Sequence, residues 1–391
     1  MLSVALTGAQ PWALTYSDGA ITTNVTGITS SPYTFNVSPS STKSYTITAL
    51  SDANCTANAG DRTGTATITV QSVPTAGEIA GTQTICNGGD PVAFTSETDG
   101  TGSVGATITY RWESNTNLSA PSWSTVGGQT ASTYDVLSGL AQTTQYRRIT
   151  ISTLNTVACE SVASNVLTVT VQSVPTAGTI ANSQTICSGG DPAAFTESLE
   201  ALGSGDLTYR WEQSTTSTTS NFTTIPDETS KTYDVPSGLT TTTYYRRVTI
   251  STLNSVACES VASNVLTVTV QSVVPTAGEI AGTQTICNGG DPVAFTSVAG
   301  TGDGTITYRW EMNTNIASPS WSAIGGVSTA TYDQSSLTAT TQYRRITIST
   351  LNNFACESVA SNVLTVTVQS VPTAGTIANS QTICNGGDPV A

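Results

Sequence analysis

Eight cysteines are the residues of this chain whose type and spacing point most directly to chemistry. Seven of them recur in two motifs, QTIC and ACES, and none has the Cys-x-x-Cys spacing that is typical of a zinc site. The chain contains no histidine, so the commonest transition-metal ligand is absent. Paired cysteines without metal-site spacing predict structural disulfides formed in an oxidising compartment. The predicted disulfide cysteines are Cys55, Cys86, Cys159, Cys187, Cys258, Cys287, Cys356 and Cys384.

Carboxylates are the remaining groups with catalytic potential, because Ser-His-Asp and Cys-His arrangements need a histidine. A glutamate follows a tryptophan in the recurring YRWE motif, and an aspartate recurs in TYD. If YRWE and YRR lie on neighbouring strands, each glutamate can pair with an arginine of YRR across the sheet. We therefore interpret Glu113, Glu212 and Glu311 as ion-pair partners of arginines, and we predict that the chain is not an enzyme.

Calcium is the one cofactor that the motifs suggest, through the acidic residue of the recurring GGDP turn. The candidates are Asp90, Asp191 and Asp291. Calcium needs six to eight oxygen ligands, and this turn supplies a single carboxylate. Glycine followed by proline is typical of a structural turn, so we predict no resident cofactor and keep calcium as the weaker alternative.

The motifs return at intervals of about one hundred residues, which divides the chain into tandem domains. A period of this length suits a small domain with its own core rather than a short solenoid repeat. We predict a divergent domain that lacks its first strand, three full repeats and the first strand of a further repeat. Their ranges are 1–71, 72–171, 172–271, 272–369 and 370–391.

Each repeat has the sequence pattern of β-strands. NVLTVTVQ alternates apolar residues with threonine, and Gly, Pro, Asn and Asp separate the apolar runs. In repeat 1 we predict seven strands and no helix, and this number in one hundred residues predicts an all-β, two-sheet sandwich. The predicted strands are 77–86, 92–96, 108–113, 123–126, 133–136, 146–152 and 166–172.

Three pairings of the cysteines remain open. Pairing within repeats gives Cys86–Cys159, Cys187–Cys258 and Cys287–Cys356. Pairing across linkers gives Cys55–Cys86, Cys159–Cys187, Cys258–Cys287 and Cys356–Cys384. Pairing between neighbouring repeats gives Cys86–Cys258 and Cys187–Cys356, since the two cysteine-bearing turns lie at opposite ends of a seven-stranded sandwich. A disulfide needs Cα atoms within about 7 Å, so ordinary topology accommodates at most one scheme. Pairing within repeats and pairing between neighbouring repeats are about equally favoured, and pairing across linkers is less favoured.

Composition excludes two classes of partner. The net charge of −14 and the pI near 4.2 argue against binding to a phosphate backbone, so we expect no nucleic acid. No apolar run approaches the ~20 residues that span a bilayer, so we expect no membrane insertion of this segment.

The aromatic residues that we expect in the core indicate a family resemblance. A tryptophan on the third strand (Trp112, Trp211, Trp310) and a tyrosine six residues after a leucine (Tyr146, Tyr245, Tyr343) resemble the core of the immunoglobulin-like fold. Arginine stands where many such domains carry the second cysteine of the inter-sheet disulfide. The fuller pattern, QTIC-x-GGDP, YRWE, YRR and CES, resembles the immunoglobulin-like repeats of large surface proteins of Bacteroidota, including gliding adhesins and other type IX-secreted proteins.

The resemblance implies a function at the cell surface or outside the cell. We predict a structural or adhesive stalk, a semi-rigid disulfide-bonded segment of a longer repeat protein. The alternative is a multivalent glycan-binding array that uses the loops that vary between repeats. The expected partners are neighbouring repeats of the same chain, with other copies in a fibre or surface glycans as further candidates.

Overall fold

A computed structural model describes all residues, 1–391, and shows an all-β protein with one short 3₁₀ helix, Ala59–Asp61. The chain divides into two compact units, which are described separately. The first comprises residues 1–174 and the segment 253–256, and the second comprises residues 175–252 and 257–391. None of the helical structure is long and apolar enough to cross a membrane.

Thirty strands make up the fold. Residues 1–71 contain β1 (Leu2–Val4), β2 (Trp12–Ser17), β3 (Thr22–Ile28), β4 (Tyr33–Phe35), β5 (Lys43–Ser51) and β6 (Ala66–Ile68). Repeat 1 contains β7 (Glu78–Ala80), β8 (Gln83–Cys86), β9 (Thr95–Thr98), β10 (Thr107–Asn115), β11 (Ser124–Thr125), β12 (Thr144–Leu154), β13 (Val157–Ala163) and β14 (Leu167–Gln172).

The other two repeats have the same order of elements. Repeat 2 contains β15 (Thr179–Ala181), β16 (Gln184–Cys187), β17 (Thr196–Leu199), β18 (Asp206–Ser214), β19 (Thr223–Thr224), β20 (Thr243–Leu253), β21 (Val256–Ala262) and β22 (Leu266–Gln271). Repeat 3 contains β23 (Glu279–Ala281), β24 (Gln284–Cys287), β25 (Thr296–Val298), β26 (Thr305–Asn313), β27 (Ser322–Ala323), β28 (Thr341–Leu351), β29 (Phe354–Ala360) and β30 (Leu364–Gln369).

Each repeat is a sandwich of a large and a small sheet. In repeat 1 the large sheet has the order β11-β10-β12-β14-β8, and β13 pairs with the far half of β12. β8 runs parallel to β14, while the other neighbours are antiparallel. The small sheet consists of β7 and β9, extended by a bridge between Phe94 and Tyr134. This arrangement confirms the predicted fold class, a tandem array of immunoglobulin-like two-sheet sandwiches.

Aromatic side chains fill the space between the two sheets. The tryptophan of β10 and its equivalents in β18 and β26 have no exposed surface, and the tyrosine near the start of β12, β20 or β28 is buried beside it. Phe94 lies 5.9 Å from Trp112 and 5.2 Å from Tyr146, measured between ring centroids. Alternation in LTVTVQ buries Leu167 and Val169 against this cluster. The six core aromatics are Trp112, Trp211, Trp310, Tyr146, Tyr245 and Tyr343.

The strands of repeat 1 differ from the prediction in three places. The first predicted strand is two, because Gly81 at φ +126° breaks it and lets β7 join the small sheet and β8 the large one. The segment predicted as a strand at 133–136 makes only the bridge at Tyr134. The prediction omitted β13, which a two-residue turn at Asn155 and Thr156 folds back onto β12.

The two ends of the chain have simpler structure. The main sheet of residues 1–71 has the order β3-β2-β5-β6, and β1 pairs with β4. No strand follows β30, and residues 370–391 are exposed.

Candidate functional site: the junctions between repeats

A buried glutamine ends the last strand of repeat 2 and contacts repeat 3. Gln271 is 1% exposed, and its side-chain amide donates to the carbonyl oxygen of Phe354 at 2.9 Å. The hydroxyl of Ser349 donates to Gln271 Oε1 at 3.1 Å. Both polar ends of this side chain are therefore satisfied by the β28–β29 hairpin of the next repeat, as burial requires.

The same contact recurs inside the first compact unit. Gln71 donates to the carbonyl oxygen of Val157 at 2.9 Å and accepts from Ser152 at 3.3 Å. Gln172, which has no exposed surface, donates to the carbonyl oxygen of Val256 at 2.8 Å. The final glutamine of TVTVQ, or of TITVQ in residues 67–71, thus holds the hairpin of the following repeat. This role was not predicted from the sequence.

The hairpin tip makes a second contact through an asparagine. Asn352 and Asn353 have φ of 49° and 62°, so they form a two-residue turn of the type I′ class, which favours asparagine and suits the twist of paired strands. This turn presents Asn352 Nδ2 to Thr185 Oγ1 of repeat 2 at 3.2 Å. Asn254 contacts Thr84 of repeat 1 in the same way at 3.0 Å.

A disulfide completes the junction between repeats 2 and 3. Cys187, at the end of β16, is bonded to Cys356 in β29, with 5.7 Å between their Cα atoms. This is the neighbouring-repeat scheme, and it is incompatible with the pairs Cys187–Cys258 and Cys287–Cys356 within repeats and with Cys159–Cys187 and Cys356–Cys384 across linkers. Cys86 and Cys258 are also disulfide-bonded.

Four cysteines that were predicted to form disulfides are free thiols. They are Cys55, Cys159, Cys287 and Cys384. The physical reason is the direction of the pairing in Cys187–Cys356, which joins the cysteine of QTIC to the ACES cysteine one repeat further along the chain. Within residues 1–391, Cys159 has no such cysteine in the domain before it, and Cys287 has none in a repeat after it.

A fully buried arginine stands where the inter-sheet disulfide of an immunoglobulin-like domain would be. Arg345 donates to the carbonyl oxygens of Ala330, Ala277 and Val298 at 2.5, 2.9 and 2.8 Å, and its guanidinium lies 4.4 Å from the ring centroid of Tyr308. It therefore joins β28 of the large sheet to β25 of the small one. Burial lowers its pKa. The sequence shows that the cysteine is missing, but not that the arginine links the two sheets in its place.

The same position is occupied by Arg148 in repeat 1 and Arg247 in repeat 2, and neither has exposed surface. Arg148 donates to the carbonyl oxygens of Ala76, Thr98 and Ser132 at 3.2, 3.1 and 2.7 Å. Arg247 adds an ion pair with Glu197 at 2.7 Å.

The recurring glutamates lie on the outer face of the large sheet in arginine pairs. Glu113 accepts from Arg147 at 2.7 Å and lies 3.4 Å from Arg111, which also binds Glu160. The hydrogen bond from Arg111 holds the pKa of Glu160 below its usual value. Arg147 stacks on Trp123 at 4.2 Å. Equivalent pairs join Glu212 to Arg246 at 2.7 Å and Glu311 to Arg344 at 2.6 Å; these carboxylates are thus committed to structural ion pairs.

Comparison with known proteins identifies the repeats. A family described as a domain of unknown function, DUF8696, matches residues 75–173, 176–272 and 276–370. The chain belongs to this family. No curated protein matches it.

Solved structures with similarity to the DUF8696 chain include three fragments of several domains each. Three N-terminal domains of the outer capsid protein Hoc of bacteriophage RB49 are 13% identical, with a TM-score of 0.32, and the match covers 73% of this chain and 96% of that one. Titin domains A168–A170 are 12% identical, with a TM-score of 0.30 and coverage of 76% and 99%. The ICAM-5 D1–D4 ectodomain fragment is 12% identical, with a TM-score of 0.31 and coverage of 76% and 77%.

The candidate aspartates of the DUF8696 repeats follow glycine-containing turns. Asp90, Asp191 and Asp291 are exposed, and the glycine two residues before each of them has positive φ. No group of three or more cysteine or carboxylate side chains lies close enough together to hold a metal ion. The side-chain contacts that recur from repeat to repeat and join different domains lie instead at the junctions.

Proposed function

We propose that the chain is a non-enzymatic structural stalk, a segment of an extracellular repeat protein in which neighbouring domains are fastened to one another. The observation that carries this proposal is the junction between repeats 2 and 3. A buried glutamine, an asparagine at a hairpin tip and the Cys187–Cys356 disulfide all act between domains there. Such a junction resists bending and separation more than a bare linker would.

An extracellular or cell-surface location is part of the proposal. The disulfides support it, because such bonds persist mainly in oxidising environments. The resemblance of the repeats to surface proteins of Bacteroidota favours a cell-surface adhesin, and secretion through the type IX system is the route that this resemblance suggests.

A multivalent glycan-binding array is the second candidate. The loops after β9 and after β10 differ in sequence between the three repeats. The residue that stacks on the outer arginine is tryptophan in repeats 1 and 3 (Trp123, Trp321) and phenylalanine in repeat 2 (Phe222). Aromatic faces at a sheet edge suit stacking on sugars. These rings already contact arginine side chains, which favours the stalk.

A glycan microarray probed with the intact, oxidised chain separates the two candidates. The stalk proposal predicts no saturable binding to any glycan class. Saturable binding that is lost when Trp123 and Trp321 are both replaced by alanine would favour the array and contradict a purely structural role. The matched control replaces the exposed Leu137, which lies outside these aromatic contacts, by alanine.

A further inference from the structure

Residues 271–277, which we call the junction strap, run from the end of β22 in repeat 2 to the start of repeat 3 and are bonded to repeat 3 at both ends. At the start of the strap, Gln271 Oε1 accepts from the Ser349 hydroxyl at 3.1 Å. At its end, the buried carbonyl oxygen of Ala277 accepts from two side chains of β28. A carbonyl oxygen has two acceptor positions, so this group is fully satisfied.

The side chains that hold the strap form one buried column on β28. Arg345, Thr347 and Ser349 alternate along the strand, so they lie on the same face, and none of them has exposed surface. Arg345 Nη2 and Thr347 Oγ1 lie 2.9 and 3.1 Å from the oxygen of Ala277. Ser349 Oγ also accepts from the backbone N–H of Gly304 at 2.9 Å. The arginine that joins the two sheets and the serine that binds the glutamine of repeat 2 therefore belong to a single polar column.

The middle of the strap is held by the loop that follows β25. Asp303 Oδ2 accepts from the backbone N–H of Val273 at 2.8 Å. The hydroxyl groups of Thr276 and Thr301 lie 2.8 Å apart, and Thr276 N donates to Thr301 O at 3.1 Å. The strap is thus bonded to repeat 3 at its start, middle and end, which is unlike a flexible linker.

The contact at the end of the strap recurs in the other two repeats. In each of them, the alanine of the PTAG motif accepts from the buried arginine and from the threonine two residues after that arginine, at 3.1 to 3.2 Å. These groups are Ala76 with Arg148 and Thr150, and Ala177 with Arg247 and Thr249. The arrangement is therefore a property of the repeat and not of one junction.

We propose that the junction strap couples the core of repeat 3 to the end of repeat 2, so that the two open together and not as independent domains. Release of the strap at Ala277 leaves two buried donors of β28 without this acceptor, and release at Gln271 leaves the Ser349 hydroxyl without its own. Because these groups share one face of one strand, loss of the contacts at one end weakens those at the other. The coupling is independent of whether the chain binds glycans.

Thr347→Val tests the coupling across the junction. Valine has nearly the shape of threonine but cannot donate to Ala277. Although Thr347 lies in repeat 3, we expect the amides at the end of β22 (Leu266–Gln271) in repeat 2 to exchange about tenfold faster in the oxidised, full-length chain.

Thr350→Val is the matched control, because this threonine lies on the same strand but on the opposite face, away from the strap. It should change exchange at the end of β22 by less than about twofold. Equal effects of Thr350→Val and Thr347→Val, or no effect of Thr347→Val, would contradict the coupling.

Gln271→Ala provides the reciprocal measurement and leaves the core of repeat 3 unmodified. The substitution removes the contact at the start of the strap, so amides of β23 (Glu279–Ala281), beyond its far end, should exchange about fivefold faster or more. Unchanged exchange of β23 would show that the two ends of the strap open independently, and would overturn the proposal.

A double variant separates coupling from general weakening. If Gln271→Ala and Thr347→Val promote the same opening, exchange of the β28–β29 hairpin in the double variant should lie within about threefold of the faster single variant. Independent effects would multiply, to about a hundredfold, as we expect for Gln271→Ala combined with the control Thr350→Val only to the extent that each acts alone. A multiplicative result for Gln271→Ala with Thr347→Val would overturn the coupling and leave the stalk proposal standing, since that proposal is tested by glycan binding.

Discussion

Gln271 Nε2 lies 2.9 Å from the carbonyl oxygen of Phe354, and this bond crosses from the last strand of one repeat to the hairpin of the next. Because the glutamine is buried, its removal leaves the Phe354 carbonyl and the Ser349 hydroxyl without this partner. We predict that Gln271→Ala lowers the free energy of opening of the β28–β29 hairpin by about 1–3 kcal/mol. Hydrogen exchange of peptides covering the hairpin measures this.

Gln369 supplies the matched control. It ends the last strand of repeat 3 as Gln271 ends that of repeat 2, but its side chain is exposed. Gln369→Ala should leave exchange of the hairpin unchanged. Equal effects of the two substitutions would show that the glutamine acts within its own strand and not across the junction.

The buried arginine should stabilise each repeat in place of an inter-sheet disulfide. Arg345→Met removes the fully buried guanidinium that donates to three carbonyl oxygens, so we expect repeat 3 to lose about 3 kcal/mol or more of unfolding free energy. Arg344→Met, one residue earlier and on the outer face, should cost about 1 kcal/mol. Hydrogen exchange of β26 peptides in the two variants provides the comparison, and a larger loss for Arg344→Met would contradict the assigned roles.

Alkaline pH should destabilise the repeats through their core tyrosines. Burial, which is the largest cause, raises the pKa values of Tyr146, Tyr245 and Tyr343 to about 12 each. The unfolded chain ionises near pH 10, so the contribution of these phenols is complete below that pH and is lost as pH rises through about 12. Urea midpoints should therefore fall between about pH 10 and 12.

Tyr343→Phe tests the source of this alkaline effect. The variant removes one of the three phenols, so the loss of stability in repeat 3 between about pH 10 and 12 should be shallower than in the unmodified chain. Phenolate absorbance followed in parallel should show late-titrating tyrosines that ionise together with unfolding. An unchanged pH dependence in Tyr343→Phe would assign the effect to other groups.

The sequence predicts the fold because the alternation in LTVTVQ and the Trp and Tyr motifs are signals that lie within short stretches of the chain. It could not assign Gln271, whose partner Phe354 lies in another repeat, since nothing near the glutamine in the sequence marks that contact. It placed Arg345 among ion-pair candidates because arginine is seldom fully buried. The strand topology suggested Cys187–Cys356, but the sequence offered two other schemes with equally regular spacing.

Single-molecule extension of the C86S/C258S variant tests whether the covalent link joins neighbouring repeats. In that variant Cys187–Cys356 closes a loop of sequence separation 169, so adding a reductant under load should release about 570 Å of hidden contour. A release of about 240 Å would instead indicate pairing within a repeat. We expect the long release. The short release, or none, would contradict a disulfide between neighbouring repeats.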